Sequence, residues 1–225
     1  MILSPKKRYL QIAINSSLND GLHIISRLPV SDRILIEAGT PFIKQYGMSG
    51  VTLLYNSWYR RLWGSGLYPY LVADLKTIDR AEMEVKMAKE AGASGVICMG
   101  LAPPETVNVF ISACEKYQMD SMIDMMNVEF PIQVLRNIKK KPDVVLLHRG
   151  VDEETYNKDK SIPYVQINKV LSLYNVMISI AGGDTPREVQ RAIFNNASIV
   201  VVWKDFYSAT NNVDELANNF LKEIK

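Results

Sequence analysis

One stretch of the chain places acidic and basic side chains at a spacing that could do chemistry. Asp74, Lys76 and Asp79 follow an apolar run, residues 70–73, of the kind that forms a strand buried on both faces. Asp74 and Lys76 lie two residues apart, so on a strand they point to the same side. A carboxylate and an ammonium group there can keep each other ionised and face one substrate. They could also form only a structural ion pair at a strand end.

The spacing of Asp79 and Glu82 predicts that a helix begins directly after this strand. An aspartate followed three residues later by a glutamate is typical of a capping box. A buried strand would therefore end in charged residues and turn at once into a helix. In a βα-barrel this junction is where reactive side chains are placed. Asp79 could equally serve only as the helix cap.

Apolar strand-like runs alternate with helical patterns along the whole chain. The predicted strands are residues 10–14, 34–36, 70–73, 95–99, 121–123, 144–147, 176–180 and 199–202. The predicted helices lie near residues 18–28, 41–62, 79–91, 104–117, 130–139, 161–173, 186–196 and 212–224. Thr40-Pro41 and Thr185-Pro186 each place a capping residue before a proline at a helix start, and Glu188 completes a second capping box with Thr185.

Eight strand–helix units in 225 residues favour an α/β fold, a (β/α)8 barrel that forms one domain over residues 1–225. A doubly wound open sheet is the alternative, and it would concentrate its reactive residues at one switch point. A barrel instead carries them at the carboxyl ends of many strands. Polar or glycine residues mark seven predicted strand ends: Asn15, Glu37, Asp74 with Lys76, Asp124, His148 with Arg149, Gly182 with Gly183, and Trp203 with Lys204. This distribution favours the barrel.

Composition narrows the classes of partner. The net charge of +2 gives no reason to expect a nucleic-acid or membrane partner, and no apolar run reaches membrane-spanning length. The two cysteines, Cys98 and Cys114, lie in apolar or helical contexts, which favours buried thiols over a disulfide or a metal site. The basic residues near the start precede a strand and lack the order of a signal peptide, so we expect a cytoplasmic protein.

Four segments together resemble the orotidine monophosphate decarboxylase superfamily. They are Glu-Ala-Gly-Thr-Pro at 37–41, Ala-Asp-Leu-Lys-Thr-Ile-Asp at 73–79, His-Arg-Gly-Val-Asp at 148–152 and Ala-Gly-Gly at 181–183. They follow the superfamily's order and spacing over nearly the whole chain, and the Asp-x-Lys-x-x-Asp motif is specific to it. Within the superfamily the chain is most similar to the 3-hexulose-6-phosphate synthases, with the 3-keto-L-gulonate 6-phosphate decarboxylases as close relatives.

The resemblance implies a Mg²⁺-dependent aldehyde-lyase that condenses formaldehyde with ribulose 5-phosphate, or runs the reverse reaction, through an enediolate. Glu37 and Asp74 would hold the Mg²⁺, since hard oxygen ligands suit that ion. Lys76 would stabilise the oxyanion, and His148 would handle a proton. The catalytic set that the resemblance implies is Glu37, Asp74, Lys76, Asp79, His148 and Arg149.

The phosphate of the substrate has a predicted site after the seventh strand. Gly182 and Gly183 let backbone N–H groups approach an anion, and the helix that starts at Thr185-Pro186 points its positive end there. The resemblance further implies a homodimer with shared active sites, in which Thr40 and Asp79 lie at the interface. The substrate-binding residues that it implies are Asn15, Thr40, Asp124, Gly182, Gly183, Trp203 and Lys204.

Two positions depart from the superfamily pattern. Asn15 stands where an aspartate is usual, and Trp203-Lys204 follows the eighth strand where a glycine is usual. Lys204 could supply a cation to the phosphate, but Trp203 lacks the open backbone of a glycine. Two alternatives therefore stay open: a sugar-phosphate decarboxylase that uses the same residues, and a non-catalytic barrel that has lost the phosphate site.

Overall fold

Eight parallel strands close into a barrel in the computed structural model, which describes residues 1–157, 159, 161–183, 185–209 and 212–225. Each strand pairs with its neighbour in sequence, and the last strand pairs with the first. The strands are β1 (Tyr9–Ile14), β2 (Ile34–Ala38), β3 (Leu71–Thr77), β4 (Gly95–Met99), β5 (Asp120–Asp124), β6 (Val144–His148), β7 (Met177–Ala181) and β8 (Ile199–Val202).

Helices cover the outside of the barrel and connect the strands. They are α1 (Leu18–Arg27), α2 (Thr40–Leu62), α3 (Ala81–Glu90), α4 (Pro104–Tyr117), α5 (Pro131–Asn137), α6 (Val151–Tyr156), α7 (Tyr164–Leu171), α8 (Pro186–Phe194), α9 (Lys204–Ser208) and α10 (Val213–Glu223). The predicted (β/α)8 barrel is confirmed, and the open sheet is excluded because the strand order closes.

Buried apolar side chains form two sets. One set, which includes Tyr9, Val72 and Met122, contains no helix residue and fills the inside of the barrel. The other includes strand residues such as Ile36 together with helix residues such as Phe110, and it lies between the strands and the helices. Because both faces of each strand are buried, the strands read as nearly continuous apolar runs in the sequence.

The junction between β3 and α3 differs from the prediction. The residue that precedes α3 is Arg80, in the left-handed conformation with φ 54°, and no side chain caps this helix. The capping box predicted for Asp79 and Glu82 is therefore wrong. The reason is that the Glu82 carboxylate accepts a hydrogen bond from Lys116 of α4, at 2.7 Å, and β3 continues to Thr77 before the chain turns.

Smaller differences lie elsewhere. The short helices α6 and α9 were not predicted, and α2 is interrupted at Gly47, whose φ of 61° and ψ of −163° suit glycine. Cys98 and Cys114 are buried and unbridged, as the sequence indicated. Among the described residues, no helix combines the length and the apolar character that crossing a membrane requires.

Candidate active site

A cluster of charged side chains lies at the carboxyl ends of the strands, the end called the mouth of the barrel below. The Lys76 Nζ lies 2.9 Å from the Asp124 Oδ2 and 3.1 Å from the Asp74 Oδ2. The His148 Nδ1 lies 2.8 Å from the same Asp124 oxygen. Three strands, β3, β5 and β6, thus bring together four residues that the sequence placed at strand ends.

Lys76 reaches this cluster through an irregularity in β3. The pairing of β3 with β4 shifts between Ala73 and Thr77, and Lys76 has a φ of 45°, in the left-handed region. Side chains other than glycine, asparagine and aspartate rarely adopt this conformation, so the surroundings must hold it. The Lys76 ammonium is itself held between two carboxylates.

The charges in the cluster shift the pKa values of its members. Burial raises the pKa of Asp124, but His148 and Lys76 outweigh burial and hold this pKa at about 2. Burial lowers the pKa of His148 and of Lys76, and the neighbouring carboxylates reverse both effects, so both pKa values are raised. Asp124 is therefore a fixed anion that favours the protonated imidazole.

Glu37 lies at the end of β2, nearly fully buried. Burial raises its pKa to about 7, and the Asp74 carboxylate raises it in the same direction. Gln11 on β1 donates a hydrogen bond from Nε2 to the Glu37 carboxylate. Sequence reasoning missed Gln11, although a glutamine within the apolar run of β1 is the signal that could have found it.

The two carboxylate oxygens of Asp74 differ in their hydrogen bonding. Its Oδ2 accepts hydrogen bonds from Lys76 and from the Thr40 hydroxyl, the latter at 2.8 Å. Its Oδ1 is buried and has no hydrogen-bond partner among the described residues. The prediction that Thr40 caps α2 is wrong, because Gly39 holds the cap position and the Thr40 hydroxyl instead binds Asp74.

The chemistry of this donor set fits Mg²⁺. Mg²⁺ is usually held by one or two carboxylates, with waters and substrate oxygens completing its shell. Glu37 and Asp74 supply two carboxylates, and the unpartnered Asp74 Oδ1 and the raised pKa of Glu37 both mark a place where a cation would relieve repulsion. No group of three or more histidine, cysteine or acidic side chains that could hold a metal ion occurs among the described residues, so the fit to Mg²⁺ rests on Glu37 and Asp74 alone.

Asn15, at the end of β1, lies against Gly39. A Cβ on Gly39 would be only 1.9 Å from the Asn15 Oδ1, so a larger residue at position 39 would force the Asn15 side chain to move. The Asn15 backbone N–H donates to the Tyr207 hydroxyl at 2.7 Å. Tyr207 in turn contacts the Trp203 ring edge to face, with centroids 6.0 Å apart. Tyr207 was not predicted, because its helix α9 was not.

Gly182 and Gly183 follow β7 in a tight backbone path. Gly182 has a φ of 98°, and a Cβ there would lie 2.4 Å from the Arg149 carbonyl oxygen. The helix α8 begins after them with the predicted capping box, in which Thr185 and Glu188 bond each other's backbone N–H groups. The glycine pair and a capped helix thus meet as the sequence indicated.

Four charged residues, named the charged corner here, lie beside these glycines: Arg149, Glu154, Glu188 and Lys204. The Arg149 Nη2 donates to the Gly182 carbonyl at 2.6 Å and lies 3.7 Å from Glu154 and 3.6 Å from Glu188. The Lys204 Nζ donates to the Glu154 carboxylate at 2.7 Å. Glu154 was not predicted, since it lies on the unpredicted helix α6.

Asp79 is the one predicted catalytic residue that lies outside these groups in the single chain. Its side chain is exposed, and it lines a surface hollow together with Arg80, Met83 and Glu105. The structure therefore brings five of the predicted catalytic residues to the mouth of the barrel: Glu37, Asp74, Lys76, His148 and Arg149. Asp79, in contrast, faces solvent beside α3 and α4.

Comparison with known proteins shows the family to which the chain belongs. Residues 8–218 match the model of the family described as orotidine 5'-phosphate decarboxylase / HUMPS family. The chain belongs to this family. Its relatives include the bifunctional enzyme Fae/Hps of Methanocella arvoryzae, at 35% identity, and that of Archaeoglobus fulgidus, at 36%. Each match covers 96% of this chain and 53% of the relative, so the chain spans about half the length of these curated relatives.

Solved structures of the family share the fold. The 3-hexulose-6-phosphate synthase from Salmonella typhimurium superposes with a TM-score of 0.81 at 20% identity, over 96% of this chain and 98% of that one. A second 3-hexulose-6-phosphate synthase gives 0.77 at 25% identity, over 96% and 100%. The KGPDC from Streptococcus mutans in complex with D-R5P gives 0.78 at 20% identity, over 96% and 97%.

Proposed function

We propose that the chain is a Mg²⁺-dependent aldehyde-lyase of the 3-hexulose-6-phosphate synthase type, which condenses formaldehyde with ribulose 5-phosphate or runs the reverse reaction. The observation that carries the proposal is the cluster of Lys76, Asp124 and His148 beside Glu37 and Asp74 at one mouth. Relatives named Fae/Hps at 35–36% identity over 96% of the chain support it.

Glu37 and Asp74 would hold the Mg²⁺. Bound there, the ion would supply Lewis acidity toward a ketose carbonyl. In the same proposal, the Lys76 ammonium stabilises negative charge that develops on the substrate oxygen, because its raised pKa keeps it charged. Thr40 holds the Asp74 carboxylate in place through its hydroxyl. These residues together would lower the energy of the enediolate that forms when the ketose loses a proton.

His148 is the proposed proton carrier. Its Nδ1 is engaged by Asp124, so Nε2 is the nitrogen that can exchange a proton with the substrate. Asp124 stays ionised at every working pH and orients the ring. The pairing of a buried aspartate with a histidine that faces a site is a common way to fix the tautomer and the orientation of a catalytic imidazole.

The phosphate of the substrate is proposed to bind at Gly182 and Gly183, near the amino-terminal end of α8. Backbone N–H groups at a helix start attract anions. Arg149 adds a cation at Gly182, and Lys204 joins the same charged corner through Glu154. Trp203 packs against the apolar side chains inside the barrel and lies next to Lys204, so it would border this site.

A homodimer with shared active sites is part of the proposal. Exposed apolar side chains cluster on α3, on α4 and on the turn before α3: Ile78, Met83, Met87 and Val109. Burying such a surface against a second copy would be favourable. Thr40 serves the Asp74 of its own chain, whereas exposed Asp79 is the residue proposed to reach the partner's site. Sedimentation analysis of the purified chain tests this, and a monomer at micromolar concentration would reject it.

The proposed activity is tested by incubating the chain with Mg²⁺, ribulose 5-phosphate and formaldehyde. We expect formaldehyde to be consumed only when all components are present, and chelation of Mg²⁺ to stop the reaction. Release of CO₂ from a keto-acid sugar phosphate, with no consumption of formaldehyde, would instead indicate the decarboxylase. A folded chain that does neither, and whose unfolding temperature ribulose 5-phosphate leaves unchanged, would indicate a non-catalytic barrel.

A further inference from the structure

The charged corner has no excess of positive charge among its described members. Arg149 and Lys204 face the carboxylates of Glu154 and Glu188, with the shortest contact, 2.7 Å, between Lys204 and Glu154. An anion that enters beside Gly182 would have to compete with these carboxylates for both cations. At least one carboxylate must therefore give up a cation before a phosphate can use it.

The two carboxylates differ in how firmly they are held. Glu188 completes the capping box of α8, accepting from the Thr185 N–H at 3.2 Å, and α8 buries three apolar residues. Glu154 lies on α6, a helix of six residues in which none is buried. Moving α6 therefore exposes no core, whereas moving Glu188 would remove a helix cap. Glu154 is the carboxylate that can leave.

We propose that Glu154 is an internal competitor for the substrate phosphate. This inference rests on the proposed function, because it assumes that an anionic group of the substrate binds beside Gly182. In the absence of substrate, Glu154 occupies Lys204 and Arg149 and holds α6 against the mouth. A phosphate carries up to two charges and three acceptor oxygens, so it can displace a single carboxylate and release α6.

The consequence is that a ligand must bind these cations strongly enough to displace Glu154. Every ligand that uses these cations must first break the link between Glu154 and Lys204, which weakens all anions by the same factor. Only ligands with a strongly bound anionic group keep enough affinity to stay. Glu154 would thus make the phosphate a requirement for binding rather than an addition to it.

Calorimetric titration with inorganic phosphate, at about pH 8 where the dianion dominates, tests this inference. Glu154→Gln removes the competing charge and keeps the size of the side chain, so phosphate should bind about fivefold tighter than to the wild-type chain. Asp152→Asn is the matched control, since it removes the same charge from an exposed position on the same helix and should leave the affinity unchanged.

Amide hydrogen exchange over residues 151–156 gives a second readout. Phosphate should speed exchange in the wild-type chain, because α6 loses its link to Lys204. It should have less effect in Glu154→Gln, where the link is already weakened because the carboxamide carries no charge. Equal phosphate affinity for the wild-type chain and Glu154→Gln would overturn the inference. So would a phosphate-induced slowing of exchange in α6.

The outcomes separate this inference from the proposed function. Tighter phosphate binding by Glu154→Gln, with no turnover of ribulose 5-phosphate, would support Glu154 as the competitor and reject the synthase. Normal turnover with equal phosphate affinities would support the synthase and reject the competitor.

Discussion

Asp120 and Asp124 lie at opposite ends of β5, both with no exposed surface, and yet burial leads to opposite results. At the bottom of the barrel, burial raises the pKa of Asp120 above its usual value, although the backbone N–H groups of Leu3 and Ile2 act against the rise. At the mouth, His148 and Lys76 overcome the same effect of burial and hold the pKa of Asp124 at about 2.

The partners of the two carboxylates explain the difference. Asp120 accepts hydrogen bonds from two backbone N–H groups and from the Tyr70 hydroxyl, all neutral donors, and a cation near it, the Met1 amino group, is farther away, at 3.8 Å from Oδ1. Asp124 accepts from Lys76 and His148, which are cationic when protonated. Neutral donors fix a chain segment against the barrel, whereas charged donors form a group that can respond to a substrate. The bottom of the barrel thus holds the chain together, and the mouth is the end at which the proposed chemistry would take place.

Of the substitutions considered, Asp124→Asn should reduce activity the most, because it removes the charge that distinguishes the mouth from the bottom. Asparagine keeps the shape of the side chain but removes the charge that pairs with Lys76 and His148, so kcat for the condensation should fall about a thousandfold. The pKa of His148 should fall as well, since the Asp124 carboxylate is what raises it. Formaldehyde consumption and NMR titration of His148 measure the two effects. An unchanged His148 pKa would show that Asp124 does not hold that proton.

Glu37→Gln should stabilise the chain while abolishing its response to Mg²⁺. The folded-state pKa of Glu37, about 7, lies above its ordinary value of 4.5, so the folded chain favours the protonated form. That advantage is complete below about pH 4.5 and is lost as the pH rises through 7, which leaves ionised Glu37 costing about 3 kcal/mol. The variant avoids this cost and should unfold at higher urea concentration near neutral pH.

The control for Glu37→Gln is pH itself. Near pH 5 wild-type Glu37 is mostly protonated in the folded chain, so the gain in the free energy of unfolding should be much smaller there. Mg²⁺ should stabilise the wild-type chain near pH 8 and leave the variant unaffected. A variant that is less stable than wild type near pH 8 without Mg²⁺ would contradict the repulsion between Glu37 and Asp74.

Asp120→Asn should lower the stability of the chain and leave its activity unchanged, in contrast to Asp124→Asn. An amide nitrogen cannot accept a hydrogen bond, so at least one of the donors Ile2, Leu3 and Tyr70 loses its partner, at a cost of about 1–2 kcal/mol of unfolding free energy. We expect kcat to stay the same, because the mouth is unchanged. Urea unfolding measures the loss of stability, and steady-state kinetics measure kcat. A fall in kcat comparable with that of Asp124→Asn would show that the two ends are not separate.

Thr40→Val should have the smallest effect. It removes the hydroxyl that donates to Asp74, so kcat should fall about tenfold, with less than about 1 kcal/mol lost in stability. Thr40→Ser keeps the hydroxyl and should retain most of the activity. If Thr40→Ser reduces kcat as much as Thr40→Val, the hydrogen bond to Asp74 does not by itself explain the effect, because serine keeps the hydroxyl.

Much of the fold could be predicted from the sequence because apolar runs and helix signals are local. The eight strands and the start of α8 at Thr185-Pro186 needed only the residues of each segment. The helices α6 and α9 could not be found this way, since their five or six residues bury little and lack a strong apolar period.

In the candidate site, too, the features that depend on local sequence could be predicted and those that depend on the tertiary structure could not. Asp74, Lys76, Asp124 and His148 were recognisable as polar residues at strand ends, and the closed barrel brings them together as expected. The pairing of Asp124 with both cations was not predictable, because it depends on the register of three strands and on the left-handed backbone of Lys76. The exposed position of Asp79 follows from the same irregular turn, which no local pattern revealed.

The most direct test of the contrast between mouth and bottom is a carbon-13 NMR titration of the aspartate carboxyl groups, with Asp120→Asn and Asp124→Asn used to assign the two signals. We predict that Asp124 stays ionised until the pH approaches about 2, whereas Asp120 takes up its proton above the ordinary value of 3.8. If both carboxyl groups titrate together near 3.8, the charges of His148 and Lys76 do not control Asp124. The mouth would then have no electrostatic distinction from the bottom.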